Sequence, residues 1–139
     1  VAFRSYYTIP TNFQSRGKQV NALFGYARIL LKLLKDHGAD GVPGAKNIFA
    51  DRPAVTHVAV LLDSPGKTFR HNLDTEYKSQ RPELPDEFRA QLKLLPAASE
   101  AFNVSTMTQP HFEADDLIAT YATAASHAGH LVTIVSSDK

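Results

Sequence analysis

Two short runs of apolar residues constrain the fold of this chain more than any other feature. Residues 55–62 and 131–135 are β-branched and aliphatic, with nearly continuous apolarity, which is typical of strands covered on both faces. Residues 19–36 and the segment from Asp115 to Ala128 instead repeat apolar side chains at helical spacing. Because strands alternate with helices of this length, the sequence predicts an α/β fold with a mostly parallel central sheet.

The remaining segments carry weaker patterns. Three glycines and two prolines in residues 38–54 predict a loop. Residues 64–85 are polar, basic and bounded by prolines, and their apolar residues follow neither a helical nor a strand period. Residues 86–102 predict a helix with apolar side chains inward, which Pro96 must break or kink. The stretch between Arg4 and Arg16 contains several aromatic residues, and by spacing alone it predicts a loop.

Length and composition exclude several classes of protein. The chain has 139 residues, which fits one domain over residues 1–139. Its net charge of +1 is too small for a protein that coats nucleic acid by charge alone, so any such contact must come from a local patch. Cysteine is absent, which excludes disulfides and thiol nucleophiles and suits a cytoplasmic location.

The ends of the chain and its longest apolar run bear on its context. No apolar stretch approaches the roughly 20 residues of a membrane span, so no membrane partner is expected. The first residue is Val1, and Ser137, Asp138 and Lys139 directly follow the second predicted strand without a closing turn. These ends suggest a piece of a longer polypeptide.

Acidic residues fall where the predicted strands end. Asp63 follows the first strand, Asp138 follows the second, and Glu113, Asp115 and Asp116 begin the helix that leads into the second strand. In open parallel sheets, ligands bind in the crevice beyond the carboxyl ends of the strands. The sequence therefore predicts that these acids converge.

Two interpretations of these acids compete. Acidic residues in the first turn of a helix are favoured by its dipole and free amides, so the group beginning at Glu113 is by itself more often a cap than a site. Up to five carboxylates in one crevice, however, would repel one another unless cations lay among them. Oxygen ligands favour Mg²⁺, with Mn²⁺ as a substitute. The six histidines are scattered, which argues against zinc.

The segment after Asp63 is suited to a phosphodiester substrate. It supplies four permanent positive charges interleaved with aromatic residues, and cations beside an acidic pocket attract phosphate. Tyr77 or Phe69 could stack on an unpaired base. A solvated loop is also rich in lysine and arginine, but its place directly after a predicted metal ligand favours function. The four cations are Lys67, Arg70, Lys78 and Arg81.

Four short motifs, taken in their order along the chain, resemble those of a known protein family. They run from Leu61 to His71, from Tyr77 to Arg81, from Phe112 to Asp116 and from Ser136 to Lys139. Together they resemble the 5′→3′ exonuclease domains of bacterial DNA polymerase I, which belong to the flap-endonuclease family. The segment from Gly17 to Lys35 also looks like the first long helix of that family, so the resemblance spans nearly the whole chain.

The resemblance implies a fold and a set of roles. The fold is a three-layer PIN-like α/β domain in which residues 64–85 form part of a helical arch or clamp. The catalytic residues that contact the scissile phosphate would be Arg4, Lys78 and Arg81. The ligands of two metal ions would be Asp63, Glu113, Asp115, Asp116 and Asp138. The DNA-binding set would be Arg4, Lys67, Arg70, Tyr77, Lys78 and Arg81.

The activity that the resemblance implies is a Mg²⁺-dependent, structure-specific 5′→3′ exonuclease and flap endonuclease of replication and repair. Its partners would be DNA with a 5′ flap or nick and RNA primers, and further nuclease and polymerase domains would follow. The expected location is the bacterial cytoplasm, in association with the nucleoid. Two metal-binding acids of the family would lie before Val1 and after Lys139, so this stretch alone could be inactive.

Two other functions stay open. A non-catalytic DNA-binding module of the same fold would bind DNA without cleaving it. The two missing acids favour this function. A phosphotransfer α/β domain of receiver or phosphohydrolase type also places aspartates at strand ends. The phosphotransfer interpretation leaves the segment from Tyr77 to Arg81 unexplained.

Overall fold

The computed structural model describes residues 1–80 and 82–136. The predictions for Arg81 and Asp138 therefore concern residues outside this description. The described residues contain six α-helices: α1 (Ala2–Thr8), α2 (Asn21–Asp36), α3 (Phe69–Leu73), α4 (Asp86–Leu92), α5 (Leu95–Glu100) and α6 (Ala114–His127). They also contain four short strands: β1 (Gln14–Ser15), β2 (Lys18–Gln19), β3 (Ala59–Leu61) and β4 (Ser105–Met107).

The described residues form two compact units. The first comprises Val1–Val58 with Leu84–Ser105, and the second comprises the described residues within 59–83 and 106–136. The prediction of a single domain over residues 1–139 stays a prediction. No helix among residues 1–80 and 82–136 is long and apolar enough to cross a membrane.

The first unit is built around α2. Residues 19–36 were expected to be helical, and α2 begins two residues later and ends at the expected position. Its Gly25 allows close approach to α1, because a Cβ atom there would lie 2.4 Å from the Cβ of Ser5. On another side, α4 contributes Phe88, whose ring centroid lies 4.6 Å from that of Tyr6 and which is only 1% exposed.

A buried amide network connects α4 to the start of α2. The Gln91 side-chain oxygen accepts the backbone N–H groups of Ala22 at 2.8 Å and Leu23 at 3.1 Å, and the Gln91 amide nitrogen donates to Asn21 at 3.1 Å. These are two of the N–H groups that a helix start leaves without intrahelical partners. The network therefore caps α2 from a distant part of the chain.

The second unit contains a parallel pair of strands. β3 lies beside β4, and the Leu62 N–H donates to the Met107 carbonyl at 3.0 Å. α6 packs on β3, and its apolar stripe is half-buried, except for Tyr121, which is exposed. Gly129 ends the helix as predicted, with a left-handed φ of +86°. The mixture of helices and strands confirms the α/β class.

Both predicted strands need correction. The strand expected over residues 55–62 is confined to β3, whose residues are exposed or half-buried. The run over residues 131–135 forms no strand in the described part of the chain, and Leu131 is 66% exposed. Apolarity indicates which residues suit a covered strand, but a strand also requires neighbours, and the described sheet here holds only β3 and β4.

The segment expected to be a loop between Arg4 and Arg16 is also corrected. It contains α1, which the packing of Ser5 against α2 stabilises although the sequence lacks a clear helical stripe. Its end forms a hairpin of β1 and β2, with left-handed φ values of +52° at Arg16 and +73° at Gly17. Two successive positive φ values are the geometry of a two-residue hairpin turn.

Pro96 divides the helix expected over residues 86–102 into α4 and α5, as predicted, and it occupies the first turn of α5, where no N–H is needed. α3 and β4 were not predicted. α3 is a five-residue helix within residues 64–85, too short to show a period in the sequence.

Candidate active site

The end of β3 and the start of α6 are joined through Asp63. Its Oδ1 accepts the backbone N–H of Ala114 at 2.7 Å, so the acid after the strand lies at the first turn of the helix. Ser64 adds a second link, because its hydroxyl donates to the Phe112 carbonyl at 3.2 Å. The structure thus brings Asp63 beside the residues from Glu113 to Asp116.

Glu113 and Asp116 cap α6. The Glu113 backbone N–H donates to Asp116 Oδ2 at 3.0 Å, the geometry of a capping box. The structural interpretation of these acids therefore holds. The Glu113 side chain takes part in this capping box, and it is also only 11% exposed and contacts two cations, Lys78 at 2.7 Å and Arg70 at 3.9 Å.

Two basic side chains neutralise these two carboxylates. Arg70, on α3, donates from Nη1 to Asp116 Oδ2 at 2.7 Å and from Nη2 to Asp116 Oδ1 at 2.6 Å. Lys78 Nζ donates to Glu113 Oε1 at 2.7 Å, and the Tyr77 hydroxyl donates to Glu113 Oε2 at 3.2 Å. Each oxygen of both carboxylates therefore accepts at least one hydrogen bond.

These contacts keep both acids ionised. The hydrogen bonds from Arg70 lower the pKa of Asp116 to about 2. Burial works to raise the pKa of Glu113, but the hydrogen bond and charge of Lys78, with Tyr77 and Arg70, outweigh it, and the pKa is lowered. For Lys78, burial works to lower the pKa, but Glu113 and Tyr77 outweigh it, so the ammonium is stabilised.

Three further predicted site residues are described by the structure. Asp115 is in the first turn of α6 and is exposed, and Lys67 is exposed in the loop between β3 and α3. Arg4 is an exposed residue of α1 in the first unit. Arg81 and Asp138 are outside the described residues.

The donor chemistry of these residues fits a divalent cation. Asp63, Glu113 and Asp116 are carboxylates, the ligands that Mg²⁺ prefers, and the lowered pKa values of Glu113 and Asp116 keep both in the form that binds metal. However, the described part of the chain has no group of three or more acidic or histidine side chains able to hold a metal ion. A metal ion would have to share or displace the partners Arg70 and Lys78.

Several backbone contacts that shape the site were not predicted from the sequence. Thr68 is buried and caps α3, with its N–H donating to His71 Nδ1 at 3.1 Å. The Phe69 N–H donates to the carbonyl of His111, which has a left-handed φ of +70°. The spacing of Thr68 three residues before His71 resembles a capping box, and this pattern is the sequence signal for the start of α3.

Comparison with known families bears on what this arrangement does. The model of the family described as "5'-3' exonuclease, N-terminal resolvase-like domain" matches residues 1–139. The chain belongs to this family. Membership supports a nuclease, and it agrees with an α/β fold of the PIN-like type.

Curated relatives point the same way. The chain is 36% identical over 141 residues to DNA polymerase I of Mycobacterium bovis, with all of this chain covered. It is 39% identical over 138 residues to DNA polymerase I of Rhizobium leguminosarum, with 99% covered, and 32% identical over 139 residues to DNA polymerase I of Bacillus subtilis, with all covered. The chain spans only 13–14% of the length of these relatives.

Proposed function

We propose that this exonuclease-family chain is part of a Mg²⁺-dependent, structure-specific 5′→3′ exonuclease and flap endonuclease. Its substrates would be DNA with a 5′ flap or nick and RNA primers paired to DNA, in bacterial replication and repair. The proposal includes further nuclease and polymerase domains in the same polypeptide and a location in the cytoplasm at the nucleoid. Its support is the family membership and the acidic and basic cluster at the start of α6.

The acids of this cluster are the proposed metal ligands. The ligands of two metal ions, bound directly or through water, would be Asp63, Glu113, Asp115 and Asp116, and Asp138 is included in the proposal from the family motif. Bound divalent ions lower the pKa of a bound water and stabilise the leaving oxygen of a phosphodiester. The chain's own contribution is to keep Glu113 and Asp116 ionised, as their lowered pKa values indicate.

The basic residues of the cluster are the proposed phosphate contacts. Lys78 and Arg70 lie beside the acids, and Lys67 is exposed on the preceding loop, so they can offset the repulsion between carboxylates and phosphate. Tyr77 would stack on a displaced base. Arg4 and Arg81 complete the proposed set from the family motifs.

The observation that carries the proposal is the hydrogen bond from the Ala114 N–H to Asp63. Asp63→Asn is the matched test, because an asparagine oxygen can still accept this bond while the negative charge is lost. In the full-length protein that contains this domain, we expect flap cleavage in Mg²⁺ to fall by about 100-fold or more, given what a metal ion contributes to such reactions.

Asp40→Asn is the control for this experiment. Asp40 is exposed in the loop after α2, and its side chain accepts the N–H of Gly41, a bond that asparagine can also accept, so its variant should keep wild-type cleavage. Cleavage by Asp63→Asn within threefold of wild type would rule out Asp63 as a metal ligand.

A non-catalytic DNA-binding module is the second candidate. The observation that favours it is that Lys78 and Arg70 already neutralise Glu113 and Asp116, and that no three acids of residues 1–80 and 82–136 form a metal site. Titration with Mg²⁺ distinguishes the two functions. The nuclease predicts cleavage that rises to saturation, whereas the module predicts flap binding without turnover at any Mg²⁺ concentration.

A further inference from the structure

Lys78 is bound to an acid that the proposed function assigns to a metal ion. Its Nζ lies 2.7 Å from Glu113 Oε1, and only 27% of its side chain is exposed. The Tyr77 hydroxyl occupies the other oxygen of Glu113 at 3.2 Å. A second cation on Glu113 would therefore compete directly with Lys78.

The backbone of Lys78 is in an unfavourable conformation. Its φ is +59°, in the left-handed region that residues with a Cβ atom seldom occupy. Such a conformation persists where surrounding contacts hold it. Here those contacts are the ion pair with Glu113 and the position of the ammonium 5.1 Å from the centre of the Tyr77 ring. Release of Lys78 from Glu113 would allow this segment to relax.

The two cations of the cluster differ in how firmly they hold their acids. Arg70 binds Asp116 through two parallel hydrogen bonds from a planar guanidinium. Lys78 holds Glu113 through one hydrogen bond from a flexible four-carbon side chain. A bidentate arginine pair is more specific in geometry than a single ammonium contact. An incoming metal ion would therefore displace Lys78 before Arg70.

We propose that Lys78 occupies the place of a divalent cation on Glu113 and leaves it when that cation binds. This inference rests on the proposed function and concerns the order of events at the same site. With Glu113 bound to metal, the Lys78 ammonium loses its carboxylate partner and becomes available to a phosphate. The Lys78 ammonium can therefore contact a DNA phosphate only after the metal ion has bound to Glu113.

Metal affinity tests the competition without reference to cleavage. Mn²⁺ binding is measured without DNA by electron paramagnetic resonance on the full-length protein that contains this domain, for wild type and Lys78→Met. Only the binding that Asp63→Asn removes is counted. Removing the competing ammonium should tighten Mn²⁺ binding about twofold to fivefold, on the scale of one partly exposed ion pair. Lys67→Met is the matched control, since it removes the same charge from the same unit and Lys67 contacts no carboxylate in the described part of the chain.

The outcomes separate this inference from the proposed function. Equal affinities for wild type, Lys78→Met and Lys67→Met, with binding lost in Asp63→Asn, would overturn the competition and leave the metal site standing. Absence of any Asp63-dependent Mn²⁺ binding in the full-length wild type and in Lys78→Met would overturn both. Tight binding by Lys78→Met and Lys67→Met alike would reveal a general charge effect and contradict the competition.

The reactivity of Lys78 gives a second, direct measurement that does not need a variant. Reductive methylation followed by mass spectrometry compares Lys78 with Lys67 in the same sample, with and without Mg²⁺. Without metal, the ion pair should make Lys78 react more slowly than Lys67. With Mg²⁺, the Lys78 rate should rise severalfold relative to Lys67, and an unchanged ratio would show that Lys78 stays on Glu113.

Discussion

The guanidinium of Arg70 grips both carboxylate oxygens of Asp116, with hydrogen bonds of 2.7 Å from Nη1 and 2.6 Å from Nη2. The guanidinium carbon also lies 4.6 Å from the centre of the Phe69 ring, and Phe69 packs on Phe112. Arg70 therefore connects α3 to the first turn of α6. Its position makes it a residue that orients Asp116, in addition to its proposed contact with DNA.

This pair predicts a specific dependence on pH. Because hydrogen bonds from Arg70 lower the pKa of Asp116 from 3.8 to about 2, the folded state binds this proton less readily than the unfolded state. The stabilisation is fully present above about pH 4 and is lost as the pH falls towards 2. In Arg70→Gln we expect the pKa of Asp116, measured by carbon NMR of the carboxylates, to rise towards 3.8.

Arg70→Lys is the control for this prediction. It keeps the positive charge and loses the planar pair of donors, so the Asp116 pKa should lie between those of wild type and Arg70→Gln. If the pKa of Asp116 stayed near 2 in Arg70→Gln, the hydrogen bond from the Glu113 backbone N–H would be the main cause of the lowered pKa.

The sequence predicted the long helices well because their signals are local. The stripe of α2 and the glycine after α6 are read from neighbouring residues, and both helices lie within two residues of the prediction. The break at Pro96 follows from its missing N–H. The helix α1 was missed because its stability comes from the contact of Ser5 with Gly25, twenty residues away.

The site shows the same division between local and distant information. The positions of Asp63 and of Glu113 and Asp116 were expected from strand and helix ends, and their meeting required that the end of β3 lie beside the start of α6. The pairing of Lys78 with Glu113 could not be predicted, since it depends on a left-handed residue in a segment without a period. Local patterns identify which residues carry charge, whereas the partners depend on how the chain turns.

The buried Gln91 network gives a prediction for stability. Gln91→Leu leaves the N–H of Ala22 without its acceptor in the core, and an unsatisfied buried donor costs about 1–3 kcal/mol. We expect urea unfolding to report a loss of that size. Gln91→Met keeps the side-chain volume and also lacks the acceptor, so it should lose a similar amount. A loss in both variants well below about 1 kcal/mol would mean that the Gln91 acceptor contributes little here.

The approach of α1 to α2 gives a second prediction for stability. Gly25→Ala places a Cβ atom 2.4 Å from Ser5 Cβ and 2.8 Å from Ile9 Cδ1, and overpacking of this kind costs about 1–3 kcal/mol. The cost should exceed the gain of roughly 1 kcal/mol in helix propensity, so thermal unfolding should occur at a lower temperature. Ser5→Gly in the same chain removes the two nearest of the clashing atoms, Cβ and Oγ of Ser5.

The double variant of Gly25→Ala with Ser5→Gly decides the cause of that loss. If the clash is responsible, the two changes are coupled, and the double variant is more stable than the sum of the single effects predicts. Strict additivity would place the cost of Gly25→Ala somewhere other than the contact with Ser5.

His111 lies beside the acids, but its backbone, not its imidazole, takes part in the fold. Its carbonyl accepts the Phe69 N–H at 2.9 Å, its φ is +70°, and its side chain is exposed. Because a left-handed residue with a Cβ atom costs about 1–2 kcal/mol, His111→Gly should leave the free energy of unfolding unchanged or raise it. His127→Gly, at the end of α6, should lower it by up to about 1 kcal/mol. A marked loss of stability in His111→Gly, measured by urea unfolding, would instead assign a structural role to the imidazole.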